Sequence, residues 1–271
     1  MPHTKERIEG LNEEQWKQFE AEGSLVLKEF LPSELLQELR DRIDAIMLGK
    51  ARVDYNRMLM QLDSESGAYS EAGAQSKGHK GATLNYRKIQ DLEYDARFLE
   101  LMRHPVLEDA CRRIHGPDAD IACFRAMFMN KPANRGTFLP WHQDRWNYLD
   151  RDPELTVWIA LDPATVANGC VQYVPRSHKV GLINPEHPSG FLTEEQAAKW
   201  APKEKVACLE LEAGDAALLH NRLLHASDVN RSGQSRRAFS VCYMDAATRR
   251  VDGRETGCPV IFGANAIEAE W

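Results

Sequence analysis

The chain sets a histidine and an aspartate two residues apart, His142 and Asp144 in WHQDRWNYLD, just before TVWIAL, which alternates as a strand does. In extended backbone, residues i and i+2 share a face, so both side chains could converge on one ion. Pro140 favours extended geometry in the residue before it, and Trp146 continues the alternation. One more donor would fix three adjacent positions of an octahedral ion and leave three open, an arrangement suited to Fe(II) that takes up a cosubstrate and O2 together. With nine histidines in the chain, one such pair is expected by chance, so it carries weight only in company.

The company comes from GDAALLHNRLLHASDVNRSGQSRRAFSVCYM, residues 214–244. It holds two candidate donors, His220 and His225, which spacing alone does not separate. It also holds Arg236. A cosubstrate with a distal carboxylate calls for a buried, permanently charged fork, and arginine is the side chain that makes bidentate contact. Alternation puts Arg236, Ala238, Ser240 and Cys242 on one face, small and polar enough to line a cofactor pocket. Arg237, Phe239, Val241 and Tyr243 fall on the other.

These residues need a scaffold. Asn12 is placed to cap a helix, with Gln15 closing a capping box and Gly23 ending it. SLVLKEFL (24–31) reads as a strand, and Ser33 as the cap of a second helix that buries Leu35, Leu39, Ile43, Ile46 and Met47. Residues 50–82 lose periodicity and read as a long loop, a lid candidate. A helical stretch runs from about Asp95 to His115. From about Ala119 the chain becomes short strands bounded by Pro, Gly, Asn and Asp, which suggests an antiparallel sandwich or barrel flanked by N-terminal helices. The expected organisation is a single domain over 1–271, with about 1–118 as helical support and lid loop and about 119–250 as the core.

A net charge of −7 with no Lys/Arg block argues against nucleic acid and membrane surfaces as partners. The N-terminus is polar without an apolar segment, and no later window is apolar enough to span a bilayer, so a soluble cytoplasmic protein is expected. Six cysteines without any CxxC read as free thiols. A zinc hydrolase is disfavoured by the absence of HExxH and by zinc's tetrahedral preference.

HQD at 142–144, NGCVQYVPRSH at 168–178 and HASDVNRSGQSRRA at 225–238 resemble the phytanoyl-CoA dioxygenase family of Fe(II)/2-oxoglutarate oxygenases. The last matches its H-x-S-x-x-N-x-S-x-x-x-R pattern in order and spacing. The resemblance extends through NEEQWKQFEAEGSLVLKEFL, the K-x-Q-D of LNYRKIQDLEYD and the strand MFMNKP. It departs where the usual G-S-H reads Arg176-Ser177-His178.

The resemblance implies a mainly β fold with flanking helices: a double-stranded β-helix, jelly-roll or cupin-like core supported by N-terminal helices. It implies His142, Asp144 and His225 as iron ligands and leaves His220 a neighbour. Arg236 would bind the far carboxylate of 2-oxoglutarate, with Ser227 beside it; Lys88, Met127, Trp158 and Gln143 join the cosubstrate set. Fe(II), 2-oxoglutarate and O2 are the implied cofactors, with ascorbate as support. The implied reaction is hydroxylation of an unactivated C–H bond of a small metabolite or natural-product intermediate, releasing succinate and CO2. Desaturation, cyclisation or epimerisation by the same chemistry, or a non-catalytic ligand-binding role, are the alternatives. Asp144 favours hydroxylation, because related halogenases carry a small residue in its place. Arg145 and Trp146 follow the metal pair directly. Arg87 and Arg125, with Arg57 and Arg145, place cations near the expected mouth and point to an anionic or polar small-molecule substrate. A monomer or homodimer is expected.

Overall fold

The computed structural model describes residues 10–271; the rest of the polar N-terminal stretch lies outside the described residues. The helices are α1 (Glu13–Glu22), α2 (Ser33–Met47), α3 (Ala96–Met102), α4 (Pro105–His115) and α5 (Glu194–Trp200). The strands are β1 (Ser24–Leu27), β2 (Leu59–Leu62), β3 (Ser76–Lys77), β4 (Tyr86–Gln90), β5 (Ile121–Lys131), β6 (Leu139–His142), β7 (Leu155–Ala160), β8 (Val171–Tyr173), β9 (Ala207–Leu209), β10 (Ala216–His220), β11 (His225–Ser227), β12 (Arg236–Asp245) and β13 (Val260–Phe262).

A larger sheet runs β1-β10-β7-β12-β5-β4-β2-β3, with β13 also on β5, and a smaller one runs β6-β11-β8-β9. Together they form the cupin-like double-stranded β-helix. One core fills the space between the larger sheet and the helices, where Ile43, Phe98 and Leu107 meet Phe128, Val157, Phe239 and Val241. A smaller core of Trp158, Ala160, Val171, Leu209 and Ala238 lies on the inner side of the sheets. No helix among the described residues is long and apolar enough to cross a membrane.

The period-two pattern of β12 governs this layering. Phe239 meets Phe98 with ring centroids 4.9 Å apart, and the Tyr243 hydroxyl donates to the Met102 carbonyl at 2.7 Å. Arg237 is held by Asp162 and Asp44 on the helical side. Phe239→Ala should therefore lower stability by about 3–5 kcal/mol. The check is a fall in the urea midpoint at unchanged slope.

Asn12 and Gln15 form the expected capping box, and Gly23, at φ +77°, ends α1. The strand expected over 24–31 stops at Leu27. Asp215 explains the stop: it accepts from the Lys28 ammonium at 2.7 Å and from the Glu29 amide at 2.9 Å, turning the chain with Glu29 at φ +51°. The cap of α2 is Pro32, not Ser33, and no side chain completes it. The helix expected across Asp95–His115 is two helices, because Pro105 opens α4 and His104 caps it.

Residues 50–82 are not a free lid. Strands β2 and β3 extend the larger sheet, with Gln61 opposite Lys88. The boundary expected near residue 118 is thus crossed by the sheet itself. The C-terminal tail is tied down on the helical side: the Trp271 carbonyl accepts from the Ala96 amide, and Glu270 pairs with Arg57.

Candidate metal centre

The smaller sheet assembles the site. Strands β6 and β11 pair with His142 directly opposite His225, and their ring centroids lie 4.1 Å apart. The strand ends at His142, but the chain stays pinned as it leaves: the Asp144 amide donates to the Asn221 carbonyl at 2.8 Å. The donor atoms of His142, Asp144 and His225 lie within 4.8 Å of one another, close enough to share one ion.

Both imidazoles are set by the same device. Nδ1 of His142 lies 2.8 Å from the Pro140 carbonyl, and Nδ1 of His225 lies 2.8 Å from the Leu223 carbonyl. A carbonyl can only accept, so each Nδ1 carries the proton and each Nε2 keeps a free lone pair that a metal ion could take. Phe191 stacks on His142 at 4.8 Å and covers the ring.

Burial, reinforced by His225 alongside, pushes His142 down to about 3, so it is a neutral donor at neutral pH. Burial pushes the Asp144 carboxyl up, but His225, His142 and Arg125 outweigh it and the net direction is down. The unfolded imidazole titrates near its ordinary 6.5. Between about 6.5 and about 3, the unfolded chain takes up a proton that folded His142 refuses, so stability falls as pH falls through that window. His220, pushed down to about 4 by burial and the neighbouring His178, adds to the trend. The thermal midpoint of metal-stripped protein should drop steadily on acidification below neutral; a flat midpoint would show these rings to be solvated.

The three donors face a cavity of about 280 Å³ lined also by Lys88, Arg125, Met127, Arg145, Trp146, Trp158, Ser227 and Arg236. Arg236 is 3% exposed. Its Nη1 donates to the Gly169 carbonyl at 2.5 Å, its guanidinium lies 5.3 Å from the Trp158 ring centroid, and its Nε meets no acceptor among the described residues. Gly169 follows Asn168 in a turn at φ +75°, where a Cβ would collide with the Asp228 carbonyl, so only glycine presents that oxygen to Arg236. Burial lowers Arg236 to about 10, which leaves it charged at neutral pH. Burial, with Arg87 and Arg125 nearby, brings Lys88 down to about 7.

Three expected site residues lie elsewhere. Gln143 is fully buried and faces away from the cavity: its amide donates to the Gly181 and Arg222 carbonyls and accepts from the Ile183 amide. It is an anchor for the 181–183 segment, not a cosubstrate contact. Arg87 donates to Gln61 at 3.0 Å behind Tyr69, and Arg57 lies over the Tyr94 ring and pairs with Glu270. His220 lines the cavity but stands outside the donor cluster. Cavity residues the sequence reading missed include Thr156, Tyr173 and Phe191. Thr156 shares the face of Trp158 by alternation and was open to detection; Phe191 sits in irregular chain and left no periodic trace.

Two facing histidines and a carboxylate on a jelly roll, with a buried arginine in the same cavity, define the class of iron- and 2-oxoglutarate-dependent oxygenases. The sequence profile of the phytanoyl-CoA dioxygenase family matches residues 19–238, and the chain belongs to that family. A probable phytanoyl-CoA dioxygenase of Caenorhabditis elegans is 29% identical over 86% of this chain and 75% of its own length. The peroxisomal phytanoyl-CoA dioxygenase of Homo sapiens is 26% identical over 90% of this chain and 71% of its own. Among solved structures, the non-haem alpha-ketoglutarate-dependent carbocyclase SnoK from nogalamycin biosynthesis shares the fold at TM-score 0.66 and 20% identity, covering 91% of this chain and 89% of that one. EctD from S. alaskensis, solved with 2-oxoglutarate and 5-hydroxyectoine, does so at TM-score 0.68 and 17% identity, covering 92% and 81%.

Proposed function

We propose that His142, Asp144 and His225 hold Fe(II), and that Arg236 takes the far carboxylate of 2-oxoglutarate, so that one domain oxidises a C–H bond of a polar or anionic small molecule. Arg236 carries this reading: a buried guanidinium whose Nε has no partner among the described residues, in the same cavity as three converging donors. A buried cation lacking its acceptor is unfavourable unless a ligand supplies one. The neutral Nε2 atoms and the anionic Asp144 suit a divalent ion and leave one positive charge to balance the near carboxylate of the cosubstrate.

Bound together, iron and 2-oxoglutarate supply the oxidising power, with release of succinate and CO2. The chain's own residues bind and orient. Ser227, next but one to His225 on β11, offers a hydroxyl in the cavity; Met127 and Trp158 form its apolar wall, and Lys88 adds an amine. Trp158, Ser240 and Met127 stand in one row across β7, β12 and β5, so this wall is rigid sheet. Phe191 and Tyr69, 5.7 Å apart, cover the metal side and restrict water. With Asp144 in place, hydroxylation is the favoured outcome over desaturation, cyclisation or epimerisation. A cytoplasmic setting fits the acidic chain.

Fe(II) with ascorbate should support 2-oxoglutarate-dependent succinate release that rises with the right substrate, whereas Zn(II) should not. Tight 2-oxoglutarate binding without any succinate under Fe(II) would instead mark a ligand-binding protein.

A further inference from the structure

Arg125 divides two cavities. With Trp146 and Gln75 it lines the metal-side cavity and also an outer one of about 520 Å³, whose remaining wall includes Phe124, Tyr148 and Arg250. Its guanidinium lies 5.0 Å from the Trp146 ring and 5.6 Å from that of Phe124, two rings that are themselves 4.5 Å apart. Its Nε is buried without an acceptor among the described residues. Arg250, the outer cavity's other cation, is already paired with Asp252. Arg125 is rooted well apart from Arg236. Register sets Arg236 opposite Lys131 and Cys242 opposite Arg125, six residues further along, which is about 20 Å of strand. A short diacid held by Arg236 has its far carboxylate at one end of this strip, and Arg125 is rooted at the other.

We propose that Arg125 anchors an anionic group of the substrate, a carboxylate or a phosphate ester, while an aromatic or flat apolar body packs against Trp146 and Phe124 in the outer cavity. This rests on the iron and 2-oxoglutarate reading above, because it makes Arg125 the second anion site of that cavity. The anion sits between the outer cavity and the donors, so the bond to be oxidised lies a short distance from the anionic group. Specificity then follows from desolvation: a neutral analogue leaves the buried Nε of Arg125 unpaired.

Enzyme loaded with Fe(II) and saturating 2-oxoglutarate under argon, so that Arg236 is occupied, is titrated with phenylacetate, phenyl phosphate and the neutral phenylacetamide, following Trp fluorescence. Either anion should bind at least tenfold more tightly than the amide, and the tighter of the two identifies the anion type. Arg125→Gln should erase that preference, by roughly tenfold or more, while Arg125→Lys should keep part of it. Binding of 2-oxoglutarate, measured on each protein, should be unchanged, which shows that the variants fold and reports separately on the underlying reading. Equal affinity for anion and amide in the wild type, or a preference surviving Arg125→Gln, overturns the proposal.

Discussion

Replacing His225 with alanine should lower succinate release by more than about 100-fold, beyond what loss of a supporting partner around a metal removes. His225 and His142 form one cross-strand pair, so removing either leaves a single imidazole and a carboxylate to hold the ion. Fe(II) titration of the variant should show the matching loss of affinity, with the fold kept, because His225 is only partly buried. His220→Ala is the informative control. His220 lines the same cavity but accepts from the Arg222 amide through Nδ1 and stands outside the donor cluster, so iron binding should survive. The reverse result would exchange the two histidines that sequence spacing left unresolved.

Arg236→Gln should weaken 2-oxoglutarate by about 2–5 kcal/mol, the range for truncating one partner of a buried charge pair, or roughly 30-fold and more in apparent affinity. The loss should fall on the KM for 2-oxoglutarate, leaving iron affinity near wild type, since Arg236 touches Gly169 and Trp158 and none of the metal donors. A variant with unchanged KM would place the distal carboxylate on another basic group of the cavity, such as Lys88.

Much of this site was legible because strand alternation is a strict code. In β12 it separated Arg236, Ser240 and Cys242, which line the cavity, from Phe239, Val241 and Tyr243, which pack on the helices. The same code turns Gln143 away from its neighbours His142 and Asp144, so that misplacement was avoidable. Arg57 was not readable in this way. Its partner Glu270 is 213 positions distant, and nothing local marks an arginine as paired or free. Strands β2 and β3 were hidden for a related reason: four and two residues long, they owe their extended form to pairing with the sheet and not to their own pattern. The helix break at Pro105 was available from the proline alone.

The carbonyl locks on His142 and His225 have a consequence for metal competition. Both nitrogen donors are preset in the ligating tautomer, so any divalent ion finds the same ready pair. Sites built from imidazole and carboxylate bind Co(II), Ni(II), Cu(II) and Zn(II) more tightly than Fe(II) as an intrinsic trend, and a preset site does little to reverse it. The identity of the ion is therefore decided by which metal is supplied, and enzyme purified in the presence of mixed metals would carry the wrong one until stripped and reloaded.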